Sequence, residues 1–410
     1  MPTNGNKKEN DYVVALDIGT SKVVCLIGQL TDSHAVEIVA LGSYPSSGLK
    51  KGVVVNIDAT TDAIQKSMDQ AKNSFDGKLK NVYVGIAGNH IKSLNSHGIV
   101  GIKDKEVTPF DIDRVIEAAQ AVAIPSDQKV LHVLPQEFVI DDQDSIREPL
   151  GMSGVRLESH VHLVTCANNA IQNIEKCVKR CGITLDGFVL EQLASSYSVL
   201  SEDEKELGVC IVDIGGGTTD IAIFNSGSIS FTGVIPIAGD QVTSDIAVAL
   251  RTPTPQAEEL KQKYGCAVAE FTTESETIEV AGVGGRAPRE LSRKALAEIV
   301  EPRYVELFEL VKAEIQRNGF DGKIPAGIVL TGGTSKMEGV VELAESIFQT
   351  SVRIGVPENF KGMESVLKNP IYATSLGLLG YGFDQLKQGI ALEQNRSLFD
   401  KAFGWLKSNY

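Results

Sequence analysis

The sequence predicts an α/β protein of two lobes facing each other across a cleft, and three observations carry that expectation. The first is an internal repeat. "VVALDIGTSKVVCLIG", beginning at Val13, and "CIVDIGGGTTDIAIFN", beginning at Cys210, share an apolar strand, Asp-Ile-Gly, a small polar turn and a second apolar strand. The second is length, since 410 residues exceed what a single core ordinarily supports. The third is the alternation of strand and helix patterns that follows each copy of the repeat.

Composition narrows the class. A hydrophobic content of 42% is that of an ordinary globular chain, and a formal net charge of −14 argues against general nucleic-acid binding, which needs a basic footprint. No run reaches the ~18–20 apolar residues of a membrane span. The opening "MPTNGNKKENDY" lacks the apolar region of a signal peptide, so a cytoplasmic protein is expected. The six cysteines form no CxxC pair, and Cys177 and Cys181, four apart, fit buried positions on one helix face better than metal ligands.

Along the chain, "YVVALDIG" and "VVCLIGQL" read as a hairpin and "AVEIVALGSY" as the next strand. "DATTDAIQKSMDQAKNSF" reads as a helix with Asp58 or Thr60 at its cap, and "NVYVGIAG" as a buried strand. From Ile86 to His162 short strands surround one helix, "PFDIDRVIEAAQAVAI", capped near Thr108 and Pro109, which predicts a small α+β module inserted into the first lobe. "NNAIQNIEKCVKRCG" is a helix ended by Gly182, and "DGFVLEQLASSYSVL" runs from strand into helix. The second lobe opens with three strands from Val209, continues through a mostly helical stretch from Ala238 to Arg317, and reaches "AGIVLTGGTSKMEGVVELAESIF", a strand, glycine turn and helix. The expected divisions are 1–85 with 163–200 for the first lobe, 86–162 for the module, 201–381 for the second lobe (its outer part about 228–301), 382–395 for a flexible linker and 396–410 for a terminal helix.

The chemistry sits in the two hairpins. Glycine lets a turn approach a ligand closely and aim successive N–H groups at it. Gly19, Thr20, Ser21 and Lys22 on one side, and Gly215, Gly216, Gly217, Thr218 and Thr219 on the other, are donors suited to phosphate oxygens. Asp17 and Asp213 stand just before the turns, where a bare carboxylate repels phosphate. A hard divalent cation reverses that sign, because Mg²⁺ keeps waters that the acids can hold while it bridges phosphates. Paired acids and paired glycine turns therefore predict a Mg²⁺–nucleotide cleft. Asp220 follows the second turn, and alternation along the strand directs it away from the turn or to the hairpin's outer edge; capping the turn backbone and touching the metal site are equally open roles for it.

"ALDIGTSK", "VDIGGGTTDIAIF" and "VLTGGTSKMEG" together resemble the two phosphate motifs and the adenosine motif of the actin-like ATPase superfamily. The resemblance covers essentially the whole chain, and the stretch from "GIAGNHIKSLNSHGIVGIKDKEVT" to "LPQEFVIDDQDSIREPLGMSGVRLE" is similar to the subdomain carried by the FtsA family of bacterial division proteins. The resemblance implies ATP and Mg²⁺ as cofactors, with Asp17 and Asp213 holding the Mg²⁺ waters and the glycine turns cradling phosphate. It places Gly332, Gly333 and Thr334 at the adenosine and Lys261 beside the base. Glu191 falls where several relatives carry a Glu-Pro acid that orients the attacking water, but Gln192 replaces the proline. ATP binding with weak or slow turnover is the expectation.

The chain ends in "NRSLFDKAFGWLKSNY". Wound as a helix, Leu398, Phe399, Phe403, Trp405 and Leu406 fall within one arc of about 160° with polar residues opposite, the pattern of a helix lying in a membrane interface. Resemblance to FtsA implies the same role, together with self-association into filaments, a place on the cytoplasmic face of the inner membrane at the division site, and binding of the FtsZ C-terminal peptide. The basic cluster Arg286, Arg289 and Arg293 is assigned to that acidic peptide. The inserted module is expected to meet other division proteins. A small-molecule or sugar kinase and a pilus-assembly scaffold are the rival readings of the same fold.

Overall fold

A computed structural model describes residues 12–31, 35–284 and 287–387. Two β-sheets of matching topology form its centre. In the first, the hairpin of Tyr12–Ile18 and Lys22–Leu30 is antiparallel, Val36–Pro45 extends it on one side, and Val82–Ile86 then Leu185–Leu190 join in parallel on the other. In the second, Val209–Ile214 and Thr219–Asn225 form the hairpin, Ser228–Ile235 extends it, and Ile328–Thr331 then Val352–Ile354 join in parallel. The repeat in sequence is thus a repeat of five strands in the same order.

Both central strands are continuous apolar runs because helices cover both faces of each sheet. Helix Ile57–Lys72 buries Ala63, Ile64 and Met68 against the first sheet. Its cap is Asn56, not Asp58 or Thr60: Asn56 is extended and its side chain accepts from Ala59 N at 3.0 Å, which leaves Asp58 in the first turn. In the second lobe the long helix Arg293–Arg317 buries Tyr304 and Phe308.

Two boundaries differ from expectation. Phe360 and Lys361 pair with Val36 and Glu37 at the edge of the first sheet, and the helix over 373–387 returns to the first lobe. Leu376, Leu379 and Phe383 of that helix are buried in the first core, Leu379 and Phe383 lying over Gly28. Residues up to 381 are therefore shared between the lobes, and 382–387 are helix rather than linker, since Phe383 supplies an apolar anchor that a solvated tether would not hold. Gly377 lets this helix cross Glu191–Val199 closely, for a Cβ there would stand 1.7 Å from Ala194 O. The remaining linker and the terminal helix of 396–410 lie outside the described residues.

The inserted module is a four-stranded antiparallel sheet (order Ile91–Gly101, Arg156–Ala167, Gln128–Ile140, Gln143–Ile146), so its last long strand runs five residues past the expected end at 162. Helix Pro109–Gln120 covers one face and is capped by reciprocal bonds between Thr108 and Asp111. The module also meets the second lobe: strand Ser228–Ile235, an edge of the second sheet rather than part of its helical outer region, accepts from Gln136 Nε2 at Ile229 O (2.9 Å) and from Ser93 Oγ at Thr232 O (3.0 Å).

The docking of the C-terminal helix yields a prediction. Phe383→Ala will lower unfolding stability by about 3–5 kcal/mol, the usual cost of emptying a buried phenylalanine site. Urea denaturation followed by circular dichroism measures it, and an unchanged midpoint would mean that the helix is not part of the core.

Candidate functional site

Each hairpin ends in a four-residue turn closed the same way: Gly19 N donates to Lys22 O and Gly215 N to Thr218 O, both at 3.0 Å. The two turns face and touch each other. A Cβ on Gly216 would lie 2.0 Å from Ser21 Oγ, and one on Gly217 would lie 2.7 Å from Thr20 Oγ1 and 3.0 Å from Lys51 Cα. The glycines of the second turn are thus required by the first turn's side chains and by the neighbouring backbone. Thr20 Oγ1 also accepts from Gly52 N at 3.2 Å, which fixes the loop at the cleft's edge.

Between the lobes lies a cavity of about 580 Å³, within the range of small-molecule sites. Asp17, Gly19, Thr20, Ser21 and Lys22 line it from the first lobe, and Asp213 and Gly215 to Thr218 from the second. Lys261, Gly332, Gly333 and Thr334 close the far end, with Glu191 on the wall. Thr219 does not join them. It is fully buried on the opposite face of its strand, where its hydroxyl donates to Ile237 O at 2.7 Å. Thr334 Oγ1 donates to Gly215 O at 2.7 Å, so the third glycine turn braces the second. Lys261 Nζ donates to Gly239 O (3.0 Å) and Thr243 Oγ1 (2.9 Å) and pairs with Glu258 at 2.7 Å.

Of the six carboxyls that line this cleft among the described residues, Asp17, Glu191, Asp213 and Asp220 are close enough for the charges of the three aspartates to act on Glu191. Asp17 Oδ2 accepts from Ser375 Oγ at 2.8 Å, and Asp213 Oδ2 accepts from Thr374 Oγ1 at 3.0 Å and from Ser195 Oγ. Burial pushes Asp17 up to about 6, opposed by the Ser375 bond and by Lys22 and helped by Asp213. Burial also raises Asp213, against its two hydroxyl donors. Glu191, at the first turn of helix Glu191–Val199, is raised well above the ordinary glutamate value by burial and then by Asp17, Asp220 and Asp213.

Asp220 lies on the cleft side, at the acids, and not at the hairpin's outer edge. It lines the cavity and pairs in register with Asp213 across the hairpin, and directly opposed residues of an antiparallel pair share one face. Burial and the Asp213 charge push it up to about 8; Thr218 Oγ1 donates to its Oδ2 at 2.9 Å, while its Oδ1 is buried without a partner. The signal was in the sequence: a turn centred between Gly216 and Gly217 sets Asp213 and Asp220 equidistant from it. Ser195, Thr374 and Ser375 carried no motif and were missed; only the fold brings them to the acids.

The residues fit a divalent cation carried in on an anion. One carboxyl oxygen of Asp17 and one of Asp213 are engaged by hydroxyls, Asp220 Oδ1 is left without a partner, and the turns of both lobes line the same space. Of the basic cluster, Arg286 lies outside the described residues. Arg289 donates to Leu250 O at 2.7 Å, and Arg293 is already paired with Glu276 and Glu338. The apolar tail residues Leu398, Phe399, Phe403, Trp405 and Leu406 also lie outside the described residues.

Comparison with known proteins places this architecture. The family profile described as "Cell division protein FtsA" matches residues 210–377, and that of the "SHS2 domain inserted in FTSA" matches 88–165. The chain is 63% identical to "Cell division protein FtsA" of Pseudomonas aeruginosa over 387 residues, covering 94% of this chain and 93% of that one. Among solved structures, the "PilM-PilN type IV pilus biogenesis complex" superposes with a TM-score of 0.65 at 16% identity, covering 90% of this chain and 98% of the other. "MreB 5 of Spiroplasma citri bound to AMPPNP" does so with a TM-score of 0.55 at 16% identity, over 97% and 100%. These two likenesses define the fold as actin-like.

Two predictions follow from the geometry. Gly217→Ala drives a Cβ into Thr20 and the Lys51 backbone, and at the usual overpacking cost of about 1–3 kcal/mol it should weaken any ligand spanning both turns about ten- to a hundredfold. Equilibrium titration reads this, and unchanged affinity would mean that the turns do not close on the ligand. The second concerns pH. Asp220 has its folded pKa raised from 3.8 to about 8, so the stability gained by holding it neutral is present at low pH and lost as pH rises through 8. The ligand-free chain should therefore show a falling thermal midpoint from pH 6.5 to 8.5, and Asp220→Asn should flatten that slope; an equal slope in both proteins would contradict the assignment.

Proposed function

The chain belongs to the FtsA family of cell division proteins, and from that premise we propose that it binds ATP with Mg²⁺, polymerises on the cytoplasmic face of the inner membrane, and tethers FtsZ there at the division site. The observation that carries the nucleotide part is the contact between two glycine turns from opposite lobes above Asp17 and Asp213. Backbone amides of Thr20 and Ser21 and of Gly216 to Thr218 receive the phosphates, while those of Gly19 and Gly215 close the turns. Gly332, Gly333, Thr334 and Lys261 receive the adenosine end. Mg²⁺ supplies the positive charge that lets phosphate and carboxylate share the cleft, held through its waters by Asp17 and Asp213.

Turnover is weak or slow. Glu191 is assigned to orient a water; burial and then the charges of Asp17, Asp220 and Asp213 raise its carboxyl well above the ordinary glutamate value, and Gln192 stands where relatives carry the proline after this acid. Its neighbour Gln192 is buried, with its Oε1 unpartnered and its Nε2 donating to Gly233 O at 3.5 Å.

Attachment to membrane rests on the sequence of the tail. Its apolar arc is that of an amphipathic helix lying in the interface; among the described residues no helix is long and apolar enough to cross a bilayer. One such helix binds marginally, and a filament presenting many of them multiplies the avidity. For the FtsZ peptide, Arg289 is the better candidate than Arg293, whose charge is already neutralised by two glutamates. The inserted module is the surface offered to other division proteins. Kinase and pilus-scaffold readings are not favoured, given close identity to a division protein along nearly the full chain.

Sedimentation with anionic liposomes tests the membrane claim. The full chain with ATP should pellet with vesicles and a chain truncated after Gln394 should not; both remaining in the supernatant would overturn it. Titration with an FtsZ C-terminal peptide should show saturable binding, weakened at least severalfold by Arg289→Glu, and absence of binding would remove that partner.

A further inference from the structure

We propose that Thr374 and Ser375 are positioning residues that clasp the aspartates of the two lobes, one hydroxyl to each, from the first turn of the C-terminal helix. The proposal rests on the Mg²⁺–nucleotide reading of the cleft.

Consecutive residues reach acids from opposite lobes. Thr374 Oγ1 donates to Asp213 Oδ2 at 3.0 Å and Ser375 Oγ to Asp17 Oδ2 at 2.8 Å. Hydroxyls near a helix start ordinarily bond to local backbone. These two instead reach partners 161 and 358 positions away in the chain. Ser195 Oγ joins the same Asp213 oxygen and lies 3.0 Å from Thr374 Oγ1, so the second-lobe acid is held from two helices.

Burial does not explain these hydroxyls. Thr374 is 9% exposed and Ser375 fully buried, beside Leu376, Leu378 and Leu379, which are wholly apolar and fully buried. Valine and alanine would fill the same volumes without presenting a polar group to be satisfied. What the hydroxyls add is a donor to one defined oxygen of each acid. That leaves Oδ1 of Asp213 beside Gly332, where a Cβ would stand only 2.3 Å away, and Oδ1 of Asp17 beside Gly19. Each aspartate thus presents a single oriented oxygen, and the adjacency of residues 374 and 375 sets the two acids at a fixed spacing although they belong to separate sheets.

The platform for this clasp is rigid. Gly377 brings the helix against Ala194 O, and Leu379 and Phe383 lock it over Gly28 of the first sheet. Partners that orient a metal's ligands typically govern affinity for the metal by ten- to a hundredfold when removed.

The test uses the full chain with Thr374→Val, Ser375→Ala and Thr374→Ser. A fluorescent ATP analogue is titrated in Mg²⁺ and in EDTA, Mg²⁺ is titrated at fixed analogue, and the thermal midpoint of the ligand-free protein is recorded. Positioning predicts about tenfold weaker binding in Mg²⁺ for each of the first two variants, a higher Mg²⁺ midpoint, and unchanged binding in EDTA. Thr374→Ser, which keeps the donor, should match the parent. Equal losses in Mg²⁺ and EDTA, or a lowered thermal midpoint with intact Mg²⁺ dependence, would overturn the clasp. A Mg²⁺-dependent parent whose variants keep that dependence would overturn the clasp alone; a parent that binds the analogue equally with and without Mg²⁺ would overturn the clasp and the Mg²⁺ part of that reading, and one that binds in neither condition would overturn the nucleotide reading as well.

Discussion

Asp17, Glu191, Asp213 and Asp220 face one enclosed space between two lobes, with Lys22 the nearest compensating cation on the first-lobe side. Removing a carboxylate from water disfavours its charged form, and a second carboxylate nearby disfavours it further. The cleft answers this unevenly. Hydroxyls of Ser375, Ser195 and Thr374 support the charge on Asp17 and Asp213, while Asp220 and Glu191 are driven toward the neutral form. Such a site is poorly suited to a bare anion and well suited to an anion that arrives with its own divalent cation. The glycine turns, the closing of the lobes and the two-lobed fold itself all serve that one electrostatic condition.

Much of this was legible in the sequence because it is local. A hairpin needs an apolar run, a turn and a second apolar run, and the twofold Asp-Ile-Gly pattern displayed that at residues 13–28 and 210–225. What failed was non-local or depended on register. The place of Asp220 stayed open because alternation along one strand does not settle it, whereas the register across the hairpin sets it opposite Asp213. Thr219, one residue earlier, falls on the far face for the same reason. The helix over 373–387 was assigned partly to the second lobe because nothing in its own sequence says which core will receive Leu379 and Phe383. Nor does "YATSLG" reveal that its hydroxyls reach acids in distant strands.

The same topology ties three distant parts of the chain together. The module is inserted into the first lobe, yet it hydrogen-bonds the edge strand of the second through Ser93 and Gln136, and His162 spans Asn95 and Thr232. That strand pairs directly with the one carrying Asp220. At the other side, the helix over 373–387 carries the hydroxyls that reach Asp17 and Asp213 and is anchored in the first core by Leu379 and Phe383.

The central claim is that Asp17 and Asp213, on different lobes, serve one cation. A double-mutant cycle with Asp17→Asn and Asp213→Asn, read as Mg²⁺-dependent ATP affinity, tests it directly. Each single substitution should forfeit most of the Mg²⁺ dependence, and the double variant should lose scarcely more than either one. Additive losses would mean that the two acids act independently, and the account of a shared ion would be wrong.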